Sequence, residues 1–440
     1  MDRRTFTRAL AGALGYSALH PAASAAAIRP QASPRIDASR LNRSLQDLSA
    51  FGARPDGGVD RMAFSDADIE GRVFVMELMA QAGLDVRTDV VGNIFGRLAG
   101  TEPDLPPLWA GSHIDSVPAG GNFDGPLGTL GALEAVRSLA EAGIRPRHPV
   151  EVVAFVNEEG GKTGSRVLAG EFRAEELDLV SASGFSIGEG IRRLGGNPER
   201  LGEGRLEWGD VAGYLEVHVE QGAVLESAGI QIGVVEGIVG IRRWTATVRG
   251  SANHAGTTPM DQRTDALLGA ARLVQAVNRV VTSIPGSQVA TVGKIEARPG
   301  APNVIPGEVE LSIEIRALEM DRIQKVMDGI EAEARVIEGE NGTPVDIDEF
   351  YLSGGAPTDE RFREWVEEAA DDLGSSHRRM PSGAGHDAQA VAHFAPTGMI
   401  FIPSVGGLSH HPDEYSRPED IEAGVNVLLG ALLRADAGLD

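Results

Sequence analysis

Cysteine is absent from the 440 residues, so the chain has no disulfide, no thiolate metal ligand and no cysteine nucleophile. Any metal here must be held by His, Asp or Glu. Positive charge is short as well: 40 Lys and Arg stand against 64 Asp and Glu, for a formal net charge of −24. That surplus repels phosphate backbones and anionic membrane surfaces and counts against nucleic acid or membrane partners. No stretch approaches the roughly twenty apolar residues that a membrane span needs, and no internal repeat or low-complexity tract interrupts the chain after its first thirty residues. What is present is 42% hydrophobic residues, enough for a sizeable core shared among two or three domains.

The first thirty residues stand apart. Arg3 and Arg4 are followed by Phe6, a mildly apolar run from Ala9 to Leu19, and an alanine-rich segment with small-residue cleavage sites near Ala25 to Ala27. Residues 1–30 read as a twin-arginine export signal, which predicts a periplasmic or secreted bacterial protein. The plainer reading is a basic tail.

Further on, Ser65-Asp66-Ala67-Asp68 resembles a capping box, and Ile69, Val73, Met76 and Met79 follow at helical spacing. A helix over about 66–82 is predicted, stopped by Gly83. The runs PPLWAG (106–111), VEVVAFVN (150–157) and GMIFIP (398–403) suit strands buried on both faces of a sheet. Between the first two, GTLGALEAVRSLAEAG (128–143) repeats its apolar residues at helical intervals, so strand, helix and strand succeed one another in the α/β manner. IRRWTATVRG (241–250) and EVELSIEIRA (308–317) alternate instead, as half-exposed antiparallel strands do. Helices expected at about 263–281 and 319–338 separate them. The predicted organisation is a catalytic α/β domain in two parts, 36–237 and 348–440, interrupted by an inserted α+β domain of ferredoxin-like type over 238–347.

In open α/β sheets, ligands gather at the carboxyl ends of the strands, and the polar clusters of this sequence fall there. The first strand runs into His113 and Asp115, the second into Asn157-Glu158-Glu159-Gly160, and the last leads to Ser409-His410-His411. A fourth segment, YLEVHVEQG (214–222), sets Leu215, Val217 and Val219 on one face and Glu216, His218 and Glu220 on the other. Taken singly, a histidine near a strand end is more often a structural hydrogen-bonder than a ligand, and paired glutamates after a strand are usually a solvated turn. Together, His113, Asp124, Glu159, His218 and His410 form an all-N/O donor set suited to two zinc-like ions sharing a carboxylate. The glycines around 120–128 would let the chain turn back and bring Asp124 beside His113.

These motifs resemble the metallopeptidase-like amidohydrolases that include N-carbamoyl-L-amino-acid hydrolase, allantoate amidohydrolase and bacterial β-ureidopropionase. The similarity runs from about residue 38 to the C-terminus through GGVDRMAFSDAD, DVVGNIFGRLAG, GSHIDSVPAGGNFDGPLG, NEEG, HVEQG, GSANHAGTTPMDQRTDA, PNVIPG, SGAGHDAQ and GLSHHPDEYS. The resemblance implies a di-zinc peptidase-like catalytic domain. His113 and His218 would bind one ion, Glu159 and His410 the other, and Asp124 would bridge them, with Zn the best-suited metal and Mn, Co or Ni as alternatives. Asp115 would orient His113. It further implies Glu158 as general base and His254, Asn303 and Arg316 as substrate contacts, with His254 also helping catalysis and Gln221 and His386 as further contacts. His411 departs from the small or amide residue usual after the ligand histidine, which leaves His410 and His411 as alternatives, His410 favoured by position.

The expected activity is hydrolysis of linear non-peptide C–N bonds in an N-carbamoyl or N-acyl amino acid, a ureido acid or allantoate: a small molecule carrying a carboxylate. By the same resemblance the inserted domain makes a homodimer. A di-zinc aminopeptidase or dipeptidase on the same fold, and an inactive binding homologue, are the competing readings.

Overall fold

The computed structural model describes residues 34–439, and the segment read as an export signal lies outside them. Its strands are, in chain order, β1 (Asp85–Thr88), β2 (Ile94–Leu98), β3 (Leu108–His113), β4 (Val150–Phe155), β5 (Gly213–Val219), β6 (Ile232–Ile238), β7 (Gly240–Arg249), β8 (Asn253–His254), β9 (Val289–Thr291) and β10 (Ile295–Arg298). They continue with β11 (Val304–Ile305), β12 (Glu308–Ala317), β13 (Val345–Ser353), β14 (Ala356–Pro357), β15 (His377–Ser382) and β16 (Thr397–Ile402).

The larger sheet has the order β1-β2-β4-β3-β5-β16-β6-β14, with β15 beside β6. Its centre, β4, β3, β5 and β16, is parallel, so the carboxyl ends of these strands share one rim. Helices Pro126–Glu141 and Pro418–Gly438 pack with Leu215, Val217 and Val219 in one core, and Trp109, Phe155, Tyr214 and Phe401 lie in another. Burial on both faces explains why these strands read as continuous apolar runs. Every residue of β5 is buried, so its polar residues need internal partners: Glu216 accepts from Ser112 Oγ at 2.6 Å and Tyr214 Oη at 3.0 Å.

The predicted early helix spans Asp66–Gln81, and Ser65 caps it by accepting from Asp68 N at 3.1 Å. Asp68 turns its own carboxylate to Phe64 N, at 2.8 Å, rather than to Ser65. Past β3 the chain doubles back through Gly125, at φ +81°, into the helix that begins at Pro126.

The inserted segment forms a second sheet, β10-β12-β7-β13, with β9 also on β12. Helices Ala266–Ser283 and Met320–Asn341 follow β7 and β12. Strand–helix–strand–strand–helix–strand in that spatial order is the ferredoxin-like arrangement. Both helices share its core, with Leu273, Val277, Ile323 and Ile330 against Trp244, Leu311 and Ile313. The sheet extends past residue 347, because β13 stays paired with β7 as far as Ser353 opposite Ile241. Residues 349–352 are all exposed, so no alternation marks that stretch in the sequence.

A Cβ built on Gly125 would stand 2.3 Å from Cε1 of His113. Replacing Gly125 with Ala therefore adds a steric clash to the roughly 1–2 kcal/mol that a left-handed backbone costs an L-residue. Thermal denaturation of Gly125→Ala should show a clear fall in melting temperature; an unchanged value would mean that the turn relaxes freely.

Candidate functional site

The central strands deliver four polar segments to one rim. His113 closes β3, His218 is the penultimate residue of β5, Glu158 and Glu159 follow β4, and His410 lies in the loop after β16. Asp124 meets them from the glycine-rich turn. Its Oδ1 lies 3.2 Å from His218 Nε2 and 3.6 Å from His113 Nε2, and its Oδ2 lies 3.5 Å from His410 Nε2. On the far side His410 Nε2 is 3.4 Å from Glu159 Oε1. Two triads of possible ligands result, His113–Asp124–His218 and Asp124–Glu159–His410, sharing Asp124.

The outer ring nitrogens are occupied by backbone. His218 Nδ1 sits 2.8 Å from the Val219 carbonyl and His113 Nδ1 3.0 Å from that of Asp115. Each ring can therefore donate outward from Nδ1 and turn Nε2 inward as a lone pair. His218 Nε2 is buried without a hydrogen-bond partner. Inward lone pairs facing carboxylate oxygens at 3.2–3.6 Å suit a cation between them, and the donors are the hard and borderline types that divalent ions accept.

Electrostatics follow the same geometry. Burial alone would raise the Asp124 carboxyl, but the His218 imidazole, with those of His113 and His410 beside it, holds it well below the usual carboxylate range. Burial would lower His218, yet Asp124 brings it up to about 9. His410, bonded to Asp124, also rises to about 9. Glu158 is pushed up to about 7 by burial, and Glu159 to about 8 by burial with Asp124 and Glu158 beside it.

Other expected residues lie around this cluster or apart from it. Asp115 meets His113 Nδ1 through its backbone oxygen at 3.0 Å, with its carboxylate Oδ1 3.6 Å from the same nitrogen, and that carboxylate also accepts from Glu158 N at 3.3 Å and Glu159 N at 3.2 Å, so it sets the glutamate turn as well. Gln221 donates to Asp124 Oδ2 at 2.5 Å. His386 is buried with its ring 4.5 Å from that of His218, and burial keeps it well below the usual histidine range. His411 faces away, with Nδ1 accepting from Asp413 N at 3.1 Å. Arg316 on β12 donates to the Gly383 carbonyl at 2.7 Å, next to the loop that carries His386.

His254 and Asn303 lie elsewhere, both exposed, His254 on β8 and Asn303 just before its partner β11 in the inserted segment. Among the described residues, no hydrogen bond or ion pair joins them to the histidine–carboxylate cluster. His254 Nδ1 accepts from Gly256 N at 3.0 Å and Thr257 N at 3.2 Å, which leaves Nε2 to carry the proton outward.

Several positioning residues went unread in the sequence although the motifs contain them. Glu414 Oε1 accepts from Phe123 N and Asp124 N, at 2.8 and 2.9 Å, and its other oxygen takes Ser409, whose hydroxyl also reaches Asp124 at 2.7 Å. Arg61, completely buried, donates to the Ile114 carbonyl at 2.7 Å and to Asn122 at 3.2 Å, bracing both sides of the turn. Asn157, Lys162, Gln221 and His410 all have positive φ, the kind of local strain that collects where side chains must be aimed. No periodicity signals any of these.

A histidine–carboxylate cluster on the rim of a parallel sheet, with a ferredoxin-like sheet inserted into the same chain, defines a hydrolase of the metallopeptidase type. Residues 109–434 match Peptidase family M20/M25/M40, and the chain belongs to that family. Within it the chain stands among the carbamoylase-type amidohydrolases. It is 38% identical to an N-carbamoyl-L-amino-acid amidohydrolase of Paenarthrobacter aurescens over 91% of this chain and 99% of that protein. It is also 38% identical to a ureidoglycolate hydrolase of Arabidopsis thaliana, over 97% and 92% of the two chains. The crystal structure of an amidase of the hydantoinase/carbamoylase family from Burkholderia multivorans superposes with a TM-score of 0.84 at 39% identity, covering 92% of this chain and 99% of that one. Enzymes of the family use divalent metal ions.

The expectation of periplasmic export is corrected by these relatives. They are named as carbamoyl-amino-acid amidohydrolases and a ureidoglycolate hydrolase, and they give export no support. Paired arginines before an apolar run are a short pattern that recurs without that meaning. Among the described residues, no helix is long and apolar enough to cross a membrane.

The sign of the metal-free protein's pH response follows from the shifts. His218 and His410, at about 9 against an ordinary 6.5, stabilise the fold fully below pH 6.5, and that contribution is lost as pH rises through 9. Glu159, raised from 4.5 to about 8, adds a cost that grows as pH rises from 4.5 to 8. After EDTA treatment the melting temperature should fall between pH 6.5 and 9, while affinity for a divalent cation rises because protons no longer compete. A flat profile for both would separate these histidines from the metal site.

Proposed function

We propose that the protein hydrolyses the ureido or amide bond of N-carbamoyl-L-amino acids or closely related ureido acids, with Glu158 as general base. The observation that carries this reading is the position of Glu158: its Oε2 lies 3.9 Å from His113 Nε2, and with Glu159 it borders a cavity of about 890 Å³. Two divalent ions, zinc by preference, would be held by His113, Asp124, His218, Glu159 and His410 and would supply Lewis-acid polarisation of water and of the substrate carbonyl. Glu158, raised to about 7, is tuned to take a proton from the attacking water at neutral pH and pass it to the departing nitrogen. Arg316 would hold the substrate carboxylate and His386, kept neutral, would offer a hydrogen bond. An assay of N-carbamoyl-L-amino acids beside dipeptides tests the reading; preferential cleavage of dipeptides would replace it with a peptidase.

The inserted domain, in this proposal, mediates a two-fold dimer in which His254 and Asn303 serve the neighbouring chain's site. His254 is exposed and its Nδ1 is held by two backbone amides, which suits Nε2 to donate to an oxyanion across an interface.

Replacing Glu158 with Gln should leave bound metal in place and lower kcat by about 10²- to 10⁴-fold. Loss of metal with substantial residual turnover would exchange the roles of Glu158 and Glu159. Mixing Glu158→Gln with His254→Ala chains, each inactive alone, should restore about a quarter of wild-type activity after random subunit exchange, since half the dimers would hold one intact site of two. No recovery despite proven exchange would remove His254 from the neighbouring site.

A further inference from the structure

Of the basic side chains that line the 890 Å³ cavity, most already face a carboxylate. Arg166 holds Glu176 through two hydrogen bonds of 2.7 and 2.9 Å, Arg173 leans on the same carboxylate at 3.3 Å, and His393 lies 3.1 Å from Glu171. Lys162 differs. Among the described residues it has no carboxylate within ion-pair distance, and its ammonium donates to the neutral Oε1 of Gln389 at 2.6 Å. A half-buried ammonium with a single amide partner has unused donors and an incompletely balanced charge.

Its backbone is held in place. Lys162 sits at φ +58° and donates its N–H to the Glu158 carbonyl at 2.8 Å, which ties it to the glutamate turn. Gln389, which receives the ammonium, is itself anchored to the Gly354 carbonyl at 2.6 Å. The Lys162 charge acts on both Glu158 and His386. The same loop that Arg316 touches at Gly383 passes Lys162 at Gly385, where a Cβ would stand 3.0 Å from Nζ. Two cations therefore border one short loop, Arg316 from the inserted sheet and Lys162 from the catalytic rim.

We propose that Lys162 is a specificity-determining residue that receives a second anionic group of the substrate, so that the cavity favours N-carbamoyl or ureido acids bearing a side-chain carboxylate. Arg316 takes one carboxylate, Lys162 the other, and Gln389 keeps the ammonium aimed into the cavity. The assignment rests on the carbamoyl-hydrolase reading above for its substrate class.

The test compares N-carbamoyl-L-glutamate with N-carbamoyl-L-glutamine, which differ by charge at nearly constant shape, in wild type, Lys162→Met and Lys162→Arg. The ratio of kcat/KM for acid over amide should fall about tenfold or more in Lys162→Met, the worth of a charged hydrogen bond, and recover in Lys162→Arg. Equal losses on both substrates would overturn the proposal and leave Lys162 a support of the glutamate turn. Calorimetric binding of glutarate and butyrate to the metal-loaded protein separates this from failure of the activity itself. Glutarate should bind wild type about tenfold more tightly than butyrate and lose that advantage in Lys162→Met. Absence of any preference for the dianion in wild type would refute the role whether or not carbamoyl compounds are turned over.

Discussion

The structure turns on one buried carboxylate. Asp124 faces His113, His218 and His410 within 3.6 Å and accepts from Gln221 and Ser409 as well. A lone anion so deeply buried would be prohibitive; here the surrounding donors hold it ionised. The three histidines reach it from β3, from β5 and from the loop after β16, so the parallel order of these strands is a requirement of the site as well as of the core. Glu414, bonded to the backbone at Asp124 and to Ser409, couples the glycine turn to the loop that carries His410.

The second sheet stands in a different relation to this centre. Its core is separate, and its contributions are few: Arg316 reaching the Gly383 carbonyl, and the Ser353-Gly354 connection tied to Gln389. Those contacts meet on the loop between Ser382 and His386 and the adjoining Gln389, beside the cavity that also holds Glu158 and Lys162. A shift of the inserted segment would therefore be felt first where a substrate carboxylate would sit, while the histidine–carboxylate cluster, built wholly on the larger sheet, would keep its geometry.

Much of this was readable in advance. The apolar runs at 106–111, 150–157 and 398–403 became buried strands over 108–113, 150–155 and 397–402, and EVELSIEIRA became β12 over the predicted residues, because period and burial leave a direct imprint on residue type. That these five side chains could come together was readable because no cysteine competes and four of them, all but Asp124, lie at or after the carboxyl end of a strand. Less legible were residues whose importance comes from a partner distant in sequence. Glu414 lies 290 residues from Asp124. Arg61 passes for a surface arginine until its guanidinium is found inside. Lys162 reads as an ordinary turn lysine until it is seen that, among the described residues, no carboxylate lies within ion-pair distance of it and its ammonium meets Gln389 instead.

The sequence by itself determined the class of chemistry, since histidine and carboxylate without cysteine restrict both metal ligation and catalysis, and it determined the alternation of elements, since hydrophobic period is a local property. Only the tertiary structure decided that His410 rather than His411 faces Asp124 and Glu159, because a left-handed backbone at His410 turns one ring inward and leaves the other on Asp413. It alone decided that the Asp115 carboxylate sets the glutamate turn, and that Lys162 has no carboxylate within ion-pair distance among the described residues. Such facts depend on which chain segments meet, and long-range pairing is the information that local residue patterns do not carry.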